Sequence, residues 1–472
     1  MNILRLLRQN KILLIVLIIN LLLTIITNQI TLRDFQNSAD EYSYYLSAKI
    51  FSIGKLSMPP PPNKEFFTLY HVISEDKFYS KYPPGWPFFL SLGILLHRPW
   101  LINIIFSTGT LLVIYLIAKD NFSKKIADTT LLLTLVNPFL IFNSASYFSN
   151  PSCLFFISLF TYFFFKSIKE KEILKNFAFM GISGGIAFLI RPFTALVIIS
   201  PLMIYLLVNQ YKEKHKKLTK KLLVFSLSFS IFISILLLYN YIQTGNPLLQ
   251  PFIKYKECDK LGLTSCSNDF QWGIKNNLIN RLILLNQWMP LSPILLLVYL
   301  TTIRKNYLKS FILFIIFIIL FSGYLFYLFD PGNEYGPRYL YEASFALFIL
   351  NSITLSKLKK IGKILLIIII LFNIISFFYF TDYFKTQVNE RMQLYDLVKE
   401  NNLSNAIIFL QTGTPTMSSG DLKRNDIYFN QSVLYASDLK EHNKELLKTF
   451  PNRTFYYFYF KEKGYLVSLN SV

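Results

Sequence analysis

Charged residues and the residue types that bind metals are scarce in this chain. Of its 472 residues, 16% are charged, and only 3 are cysteines and 4 are histidines. The histidines lie far apart without metal-ligand spacing, at His71, His97, His215 and His442. A P-loop and a dinucleotide-binding fingerprint are also missing. The sequence therefore gives no support to ATP-driven chemistry in the cytosol.

Cysteine usage says little about the compartment. Cys153 lies in an apolar run, where a thiol acts as a small packing residue. Cys258 and Cys266 share one polar segment, which the topology below places outside the cell. A disulfide and two unpaired thiols remain equal alternatives for this pair.

Long apolar runs make up much of the sequence. Hydrophobic residues make up 53% of the chain, and runs such as ILLIVLIINLLLTIIT and ILLIIIILFNIISFFYF carry no charge. About 20 such residues span a bilayer core, so these runs are too long and uniform for a soluble core. The predicted class is an all-α polytopic membrane protein.

Acidic residues are also few, 27 against 48 basic ones, which gives a net charge of +21. Nucleic-acid binding is not the favoured explanation, because the lysines cluster in short stretches between apolar runs, as the positive-inside rule describes. With the N-terminus in the cytosol, all the basic stretches fall on the cytosolic side. About eleven crossings then follow, predicted at residues 11–28, 99–118, 128–147, 151–168, 176–191, 193–210, 222–242, 289–303, 310–329, 339–355 and 364–381. The predicted location is the plasma (inner) membrane.

Two domains are predicted. Residues 1–381 form the transmembrane part, whose first outer loop spans residues 29–98. Within that loop, residues 40–53 are typical of an amphipathic helix with Asp40 as its N-cap, and Gly54 suits its C-terminus. Residues 382–472 are polar and mixed, and their pattern predicts a small α/β domain outside the membrane.

The candidate general base lies in the first outer loop. Asp40 and Glu41 follow the first apolar run. Desolvation near the bilayer disfavours an ionised carboxylate and raises its basicity, which suits the removal of a proton from a hydroxyl. A purely structural role is the alternative, since Asp caps helices and Glu complements the helix dipole.

Three cations are predicted at the same outer face. Lys81 precedes a double proline in SKYPPGWP, where an ammonium at head-group depth can hold a phosphate. Arg191 in FLIRPF and Arg338 in EYGPRYLYE lie at the ends of apolar runs, and ionisable residues at such depth tend to mark function. The alternative is that all three are interfacial anchors. Glu334 and Glu342 flank Arg338 and can pair with it.

Taken together, the acidic pair after the first span, KYPPGWP, IRPF and GPRYL resemble the GT-C superfamily of glycosyltransferases. The similarity is greatest to the bacterial branch related to protein O-mannosyltransferases and aminoarabinose transferases. It covers about residues 1–380 and is strongest at 35–100. The resemblance implies a GT-C-like fold and an inverting transfer of sugar from a polyprenyl-phosphate donor to an acceptor hydroxyl.

The resemblance also implies roles for residues. Asp40 would be the base, with Glu41 supporting it or binding acceptor. The donor phosphate would be bound by Lys81, Arg191 and Arg338, and the supporting or acceptor-binding residues would be Tyr44, Tyr82, Glu334 and Tyr339. Tyr82 departs from the family's Lys-Pro-Pro pattern because it separates Lys81 from the prolines. Some superfamily members use a divalent metal and others do not, so no cofactor is assigned and metal dependence stays open.

The implied partners are the lipid-linked sugar, membrane lipids and an acceptor that is a glycan, a lipid or a protein. A transporter or flippase of lipid-linked glycans is the main alternative, but transporters usually carry charges mid-span and show repeated halves. A glycan polymerase or ligase is the other. A mere membrane anchor for the outer domain would not need so many spans.

Overall fold

The computed structural model describes residues 3–169, 174–212, 218–256, 270–302, 308–325 and 335–469. Cys258, Cys266 and Glu334 lie outside the described residues, and so does the question of the disulfide. The helices are α1 (Ile3–Gln9), α2 (Lys11–Ile26), α3 (Ala39–Ser52), α4 (Gly85–Leu95), α5 (Leu101–Asn121), α6 (Lys124–Thr134), α7 (Pro138–Ala145), α8 (Asn150–Lys169), α9 (Leu174–Ile190), α10 (Pro192–Lys212), α11 (Leu218–Thr244), α12 (Pro251–Tyr255), α13 (Phe270–Trp288), α14 (Ser292–Thr302), α15 (Leu308–Leu325), α16 (Ser344–Lys357), α17 (Lys359–Glu400) and α18 (Asn443–Thr449). The strands are β1 (Val72–Ser74), β2 (Phe78–Ser80), β3 (Ala406–Leu410), β4 (Val433–Ser437), β5 (Thr454–Phe460) and β6 (Gly464–Ser468).

The apolar helices confirm an all-α membrane protein. Within the described ranges, 7 helices are long and apolar enough to cross a membrane, or up to 9 if each bent pair forms one span. Two further apolar helices, α4 and α9, are shorter than a full span. The predicted count of eleven crossings is therefore not confirmed, while the multi-pass class is.

One predicted span is interrupted in a way that shapes the site. The sequence predicts a continuous crossing over 128–147, but α6 and α7 meet at a bend of 64°. Asn137 caps α7 by accepting the N–H of Leu140, and Pro138 begins that helix. Proline has no N–H for the preceding turn and disfavours helical backbone before it, so the chain bends here.

The C-terminal region forms a small α/β layer, as its pattern predicts. The sheet order is β4-β3-β5-β6. β3 pairs in parallel with β4 and β5, while β5 and β6 form the antiparallel hairpin. The predicted boundary at residue 381 falls inside the unbroken helix α17. The division into residues 1–381 and 382–472 stays a prediction.

This sheet shares one hydrophobic core with α3 and the loop that follows it. The cluster joins side chains of α3 and the following loop, such as Ile50 and Phe67, to side chains of the sheet, such as Phe409 and Leu434. Phe67 and Phe409 are completely buried, and burying one such ring contributes about 1.5–3 kcal/mol. The sheet therefore holds α3 and the loop that follows it in place.

Candidate active site

Asp40 lies in the first turn of α3. The sequence predicts Asp40 as the N-cap, and this is wrong: the cap is Ser38, whose backbone is extended and whose Oγ accepts the N–H of Glu41. An extended residue before the first turn is what capping requires, and Asp40 is already helical. Gly54 does end this helix, with a left-handed φ of +74°, as predicted.

Because Asp40 does not cap the helix, its carboxylate can contact other groups. It contacts three groups from distant segments. The Tyr82 hydroxyl donates a hydrogen bond to its Oδ1. The Nε2 atom of His71 lies 3.6 Å from Oδ1. A guanidinium nitrogen of Arg338 lies 3.7 Å from Oδ2. A carboxylate, an imidazole, a phenol and a guanidinium thus meet in one place.

These neighbours change the expected basicity of Asp40. Burial raises the pKa of this carboxyl, but His71, Arg338, the Tyr82 hydrogen bond and Lys81 outweigh it and lower the pKa to about 2. The expectation of a raised basicity for Asp40 is therefore wrong. The sequence argument considered desolvation alone and could not include cations that arrive from elsewhere in the chain.

The hairpin of β1 and β2 brings Lys81 to the same site. The backbone N–H of Lys81 donates to the carbonyl of His71, which also accepts the hydroxyl of Ser43. The Lys81 side chain is buried, and its ammonium lies 4.6 Å from the Phe252 ring centroid and 4.8 Å from that of Tyr255. Although Tyr82 separates Lys81 from the prolines, both side chains border the site.

A glycine then allows this segment to approach Arg191. Gly85 begins α4, and a Cβ placed on it would lie 2.6 Å from the carbonyl carbon of Leu189. No side chain fits at that distance, so the glycine lets α4 pack against the backbone just before Arg191. The KYPPGWP and IRPF motifs are therefore adjacent in space for a steric reason.

Arg191 is anchored by a buried carboxylate. Its Nε lies 3.0 Å from Oε1 of Glu342, which is completely buried. The guanidinium also donates to the hydroxyls of Ser149 and Tyr324, at 3.4 and 3.2 Å. The sequence suggests that Glu342 pairs with its neighbour Arg338, but its ion pair is made with Arg191.

The turn at residues 146–149 connects these groups. The Tyr147 carbonyl accepts the indole N–H of Trp86, and the Trp86 side chain is buried. The turn presents Phe148 to Arg338, with 3.7 Å from the guanidinium carbon to the ring centroid. It also presents the Ser149 hydroxyl, 3.1 Å from the hydroxyl of Tyr44.

Glu41 is hydrogen-bonded to this turn. It is completely buried, and its Oε1 accepts the backbone N–H of Tyr147 while its Oε2 accepts the Ser38 hydroxyl. These contacts favour a positioning role over proton transfer for Glu41. Its catalytic role stays a prediction that the geometry does not favour.

The remaining predicted residues are aromatic supports. Tyr44 stacks on Tyr82 with ring centroids 4.3 Å apart, and Tyr339 stacks on Tyr324 at 4.7 Å. Sequence reasoning missed four residues of the site: His71, Ser149, Tyr324 and Glu342 as the partner of Arg191. No sequence signal marked His71, Ser149 or Tyr324, because each reaches the site only through tertiary contacts.

Two arginines from the C-terminal part of the chain contact α3 and the segment just before it. The Arg424 guanidinium carbon lies 4.0 Å from the ring centroid of Tyr42, on α3, and its NH2 donates to the carbonyl of Gln36. Arg391 donates to the backbone and side-chain oxygens of Asn37. In the part of the chain that the structure describes, no three His, Cys, Asp or Glu residues are grouped as metal ligands.

Part of the chain matches a known family in sequence. Residues 81–238, about a third of the chain, match the family model described as dolichyl-phosphate-mannose-protein mannosyltransferase. That match includes Lys81 and Arg191 but not Asp40 or Arg338. A comparison with curated protein sequences finds no match to this chain.

Solved structures match over nearly the whole chain. ArnT from Cupriavidus metallidurans bound to undecaprenyl phosphate superposes with a TM-score of 0.62 at 12% identity, covering 96% of this chain and 97% of that one. The Archaeoglobus fulgidus oligosaccharyltransferase in its apo form gives 0.51 at 12% identity, over 95% and 69% of the two chains. AglB from the same organism, with an inhibitory peptide and a dolichol-phosphate, gives 0.50 at 10%, over 96% and 70%. The chain therefore has the fold of these structures, which is the fold that the resemblance of its motifs to the GT-C superfamily implies.

Proposed function

We propose that this protein is an inverting glycosyltransferase that moves a sugar from a polyprenyl-phosphate donor to an acceptor hydroxyl on the outer face of the membrane. The observation that carries the proposal is the contact of Asp40 with Arg338, His71 and Tyr82, beside Lys81. A base and several cations are what such a transfer needs at head-group depth. The relatives with bound undecaprenyl phosphate and dolichol-phosphate support the donor class.

In the proposed reaction, Asp40 accepts the proton of the acceptor hydroxyl. The oxygen then forms a bond to the anomeric carbon of the sugar, on the face opposite the bond to phosphate. That bond breaks with its electron pair, and polyprenyl phosphate leaves. The configuration at the anomeric carbon is inverted in this single displacement.

Cations would stabilise the negative charge that develops on the leaving phosphate. Arg338 is the best placed, because it already contacts the carboxylate that the acceptor must reach. Lys81 would hold a phosphate as a point charge inside its aromatic surroundings. Arg191 is held by Glu342, so we assign it to the more distant side of the phosphate.

The topology is part of the proposal. The N-terminus would lie in the cytosol, and the site and the strand-containing region would lie outside, in the plasma (inner) membrane. A donor delivered laterally within the bilayer would then bring its sugar-phosphate bond to the level of Asp40. Glycans, lipids and proteins with free hydroxyls are the acceptor classes.

A transfer assay tests the proposal. Purified protein in lipid nanodiscs is given undecaprenyl-phosphate-linked sugars and acceptor extracts, and release of undecaprenyl phosphate is measured. We expect wild type to release it and Asp40→Asn to be at least 100-fold slower, the usual effect of losing a general base. The matched control is Asp76→Asn, an exposed carboxylate in the turn of the β1–β2 hairpin, which should be fully active.

Two outcomes would refute the proposal. An Asp40→Asn variant as active as wild type would remove the carboxylate from the mechanism. Movement of intact donor across a liposome bilayer, with no sugar released, would favour the transporter alternative. Running each reaction with and without a divalent-metal chelator decides metal dependence.

A further inference from the structure

His71 is held against Asp40 by contacts from several segments. Its Nε2 lies 3.6 Å from the carboxylate oxygen. Its backbone N–H donates to the hydroxyl of Tyr255, at 3.1 Å, and its carbonyl accepts hydrogen bonds from Ser43 and from the N–H of Lys81. These bonds fix the residue from both sides of its peptide backbone.

The backbone at His71 is itself unusual. Its φ is +62°, in the left-handed region that residues other than glycine seldom adopt. Such a conformation persists only where the surroundings over-determine it, and it often accompanies a functional role. In this conformation the imidazole lies beside the Asp40 carboxylate.

The proposed transfer leaves a proton on Asp40, and this proton must then pass to another base. Burial raises the pKa of Asp40, but Arg338, the hydrogen bond from Tyr82 and Lys81 stabilise its ionised form independently of His71. A carboxylic acid there would lose its proton readily to a better base within reach. The imidazole of His71 is the group in the right place.

We propose that His71 acts as a proton relay that receives, at Nε2, the proton that Asp40 takes from the acceptor. This inference rests on the proposed function. The O–H bond of the acceptor breaks, the proton passes through the Asp40 carboxylate, and it ends on a neutral imidazole, which becomes a cation. The acceptor oxygen forms its new bond to the anomeric carbon, and polyprenyl phosphate leaves with the electron pair of its bond to the sugar, so charge and atoms balance.

The groups around His71 fit this role. Asp40 on α3 favours the cationic imidazole that the step produces. Tyr82 and Tyr255 present their rings edge-on at 5.8 Å, and the ammonium of Lys81 lies over those same two rings. Arg338 lies on the other oxygen of Asp40 and opposes the cationic form.

The test is the pH dependence of His71→Asn. Asparagine tolerates the left-handed backbone best among side chains that cannot store a proton. An imidazole ordinarily titrates near pH 6.5. If His71 is the relay, the ratio of wild-type to variant rate should be about one at low pH, where an added proton blocks the imidazole, and should rise to about 10–100 at pH 8.

Several outcomes would overturn the relay. A rate ratio that is the same at every pH would mean that His71 is only structural, and a ratio that is largest at low pH would mean that it acts as a fixed cation. An unchanged rate in His71→Asn, with Asp40→Asn inactive, would refute the relay and leave the proposed function standing. If wild type transfers nothing, both fall.

Two controls complete the experiment. His442→Gln removes an exposed imidazole whose Nδ1 lies 3.2 Å from the carboxylate of Glu445, and it should match wild type at every pH. If His71→Asn does not fold, His71→Gly relaxes the backbone and is assayed with added imidazole. A faster rate with imidazole would support the relay, and no gain in a folded His71→Gly protein would refute it.

Discussion

Replacing Arg338 by Gln should weaken both the stability of the site and the use of the donor. The guanidinium lies 3.7 Å from the Asp40 carboxylate, and at an effective dielectric constant of 20 that separation corresponds to an attraction of about 4 kcal/mol. The side chains are 11% and 25% exposed, so solvent screening reduces this value. We expect a coupling free energy of about 1–3 kcal/mol, equivalent to a pKa change of about 1–2 units at Asp40.

The sign follows from the lowered pKa of Asp40. Because the folded-state pKa is about 2, against 3.8 for the unperturbed group, the carboxylate stabilises the fold above about pH 4. That contribution is lost as the pH falls from about 4 through 2. Removing Arg338 raises the folded-state pKa and so reduces the contribution. At pH 7 Asp40 stays ionised in either case, and an activity lost there by Arg338→Gln is a loss of phosphate contact and not of the base.

The assay is a double-mutant cycle with Asp40→Asn. Denaturant unfolding of the four proteins at pH 7 gives the coupling free energy, which should fall in the range above. Transfer by Arg338→Gln should be slow, Arg338→Lys should recover part of it, and the double variant should recover stability but no activity. A coupling below about 0.3 kcal/mol would refute the argument that these two groups interact directly.

Three further predictions follow from particular contacts. Gly85→Ala places a Cβ 2.6 Å from the backbone of α9; we expect about 1–3 kcal/mol of destabilisation in denaturant unfolding and a loss of transfer. Glu342→Gln leaves Arg191 without its buried partner; breaking such a pair costs about 3–5 kcal/mol, so its unfolding midpoint should fall well below that of wild type. Single cysteines at Asn63 and Lys216 should react with an impermeant thiol reagent from outside and from inside respectively, and labelling of the second from outside would contradict the topology.

The sequence predicted the elements whose signals are local. The helix predicted over residues 40–53 appears as Ala39–Ser52, and the strands expected in the C-terminal α/β region include β3 and β4. Each rests on side-chain periodicity and on capping or turn residues within a few positions, which a single sequence displays directly.

What the sequence could not predict depends on where distant segments meet. The hydrophobic core between the C-terminal sheet and the segment of α3 and its following loop joins residues more than 300 positions apart. No local pattern encodes such a pairing. His71 reaches Asp40 through a short hairpin and a left-handed backbone. The lowered pKa of Asp40 has the same origin, since its causes include Arg338, which is far along the chain.

The contacts of Asp40 also suggest how donor binding and base strength are connected. Burial raises the pKa of Asp40, while His71, Arg338, the Tyr82 hydrogen bond and Lys81 lower it. A phosphate that these cations bind would compete with Asp40 for their charge, and its own negative charge would disfavour the carboxylate. Donor binding should therefore raise the pKa of Asp40 and make it a stronger base when an acceptor can be used.

Undecaprenyl phosphate alone should then shift the titration of Asp40 to higher pH. The titration is followed by infrared spectroscopy of the Asp40 carboxyl band. A titration that does not move, in protein shown to bind the lipid, would mean that the phosphate lies too far from Asp40 for Arg338 to serve both groups.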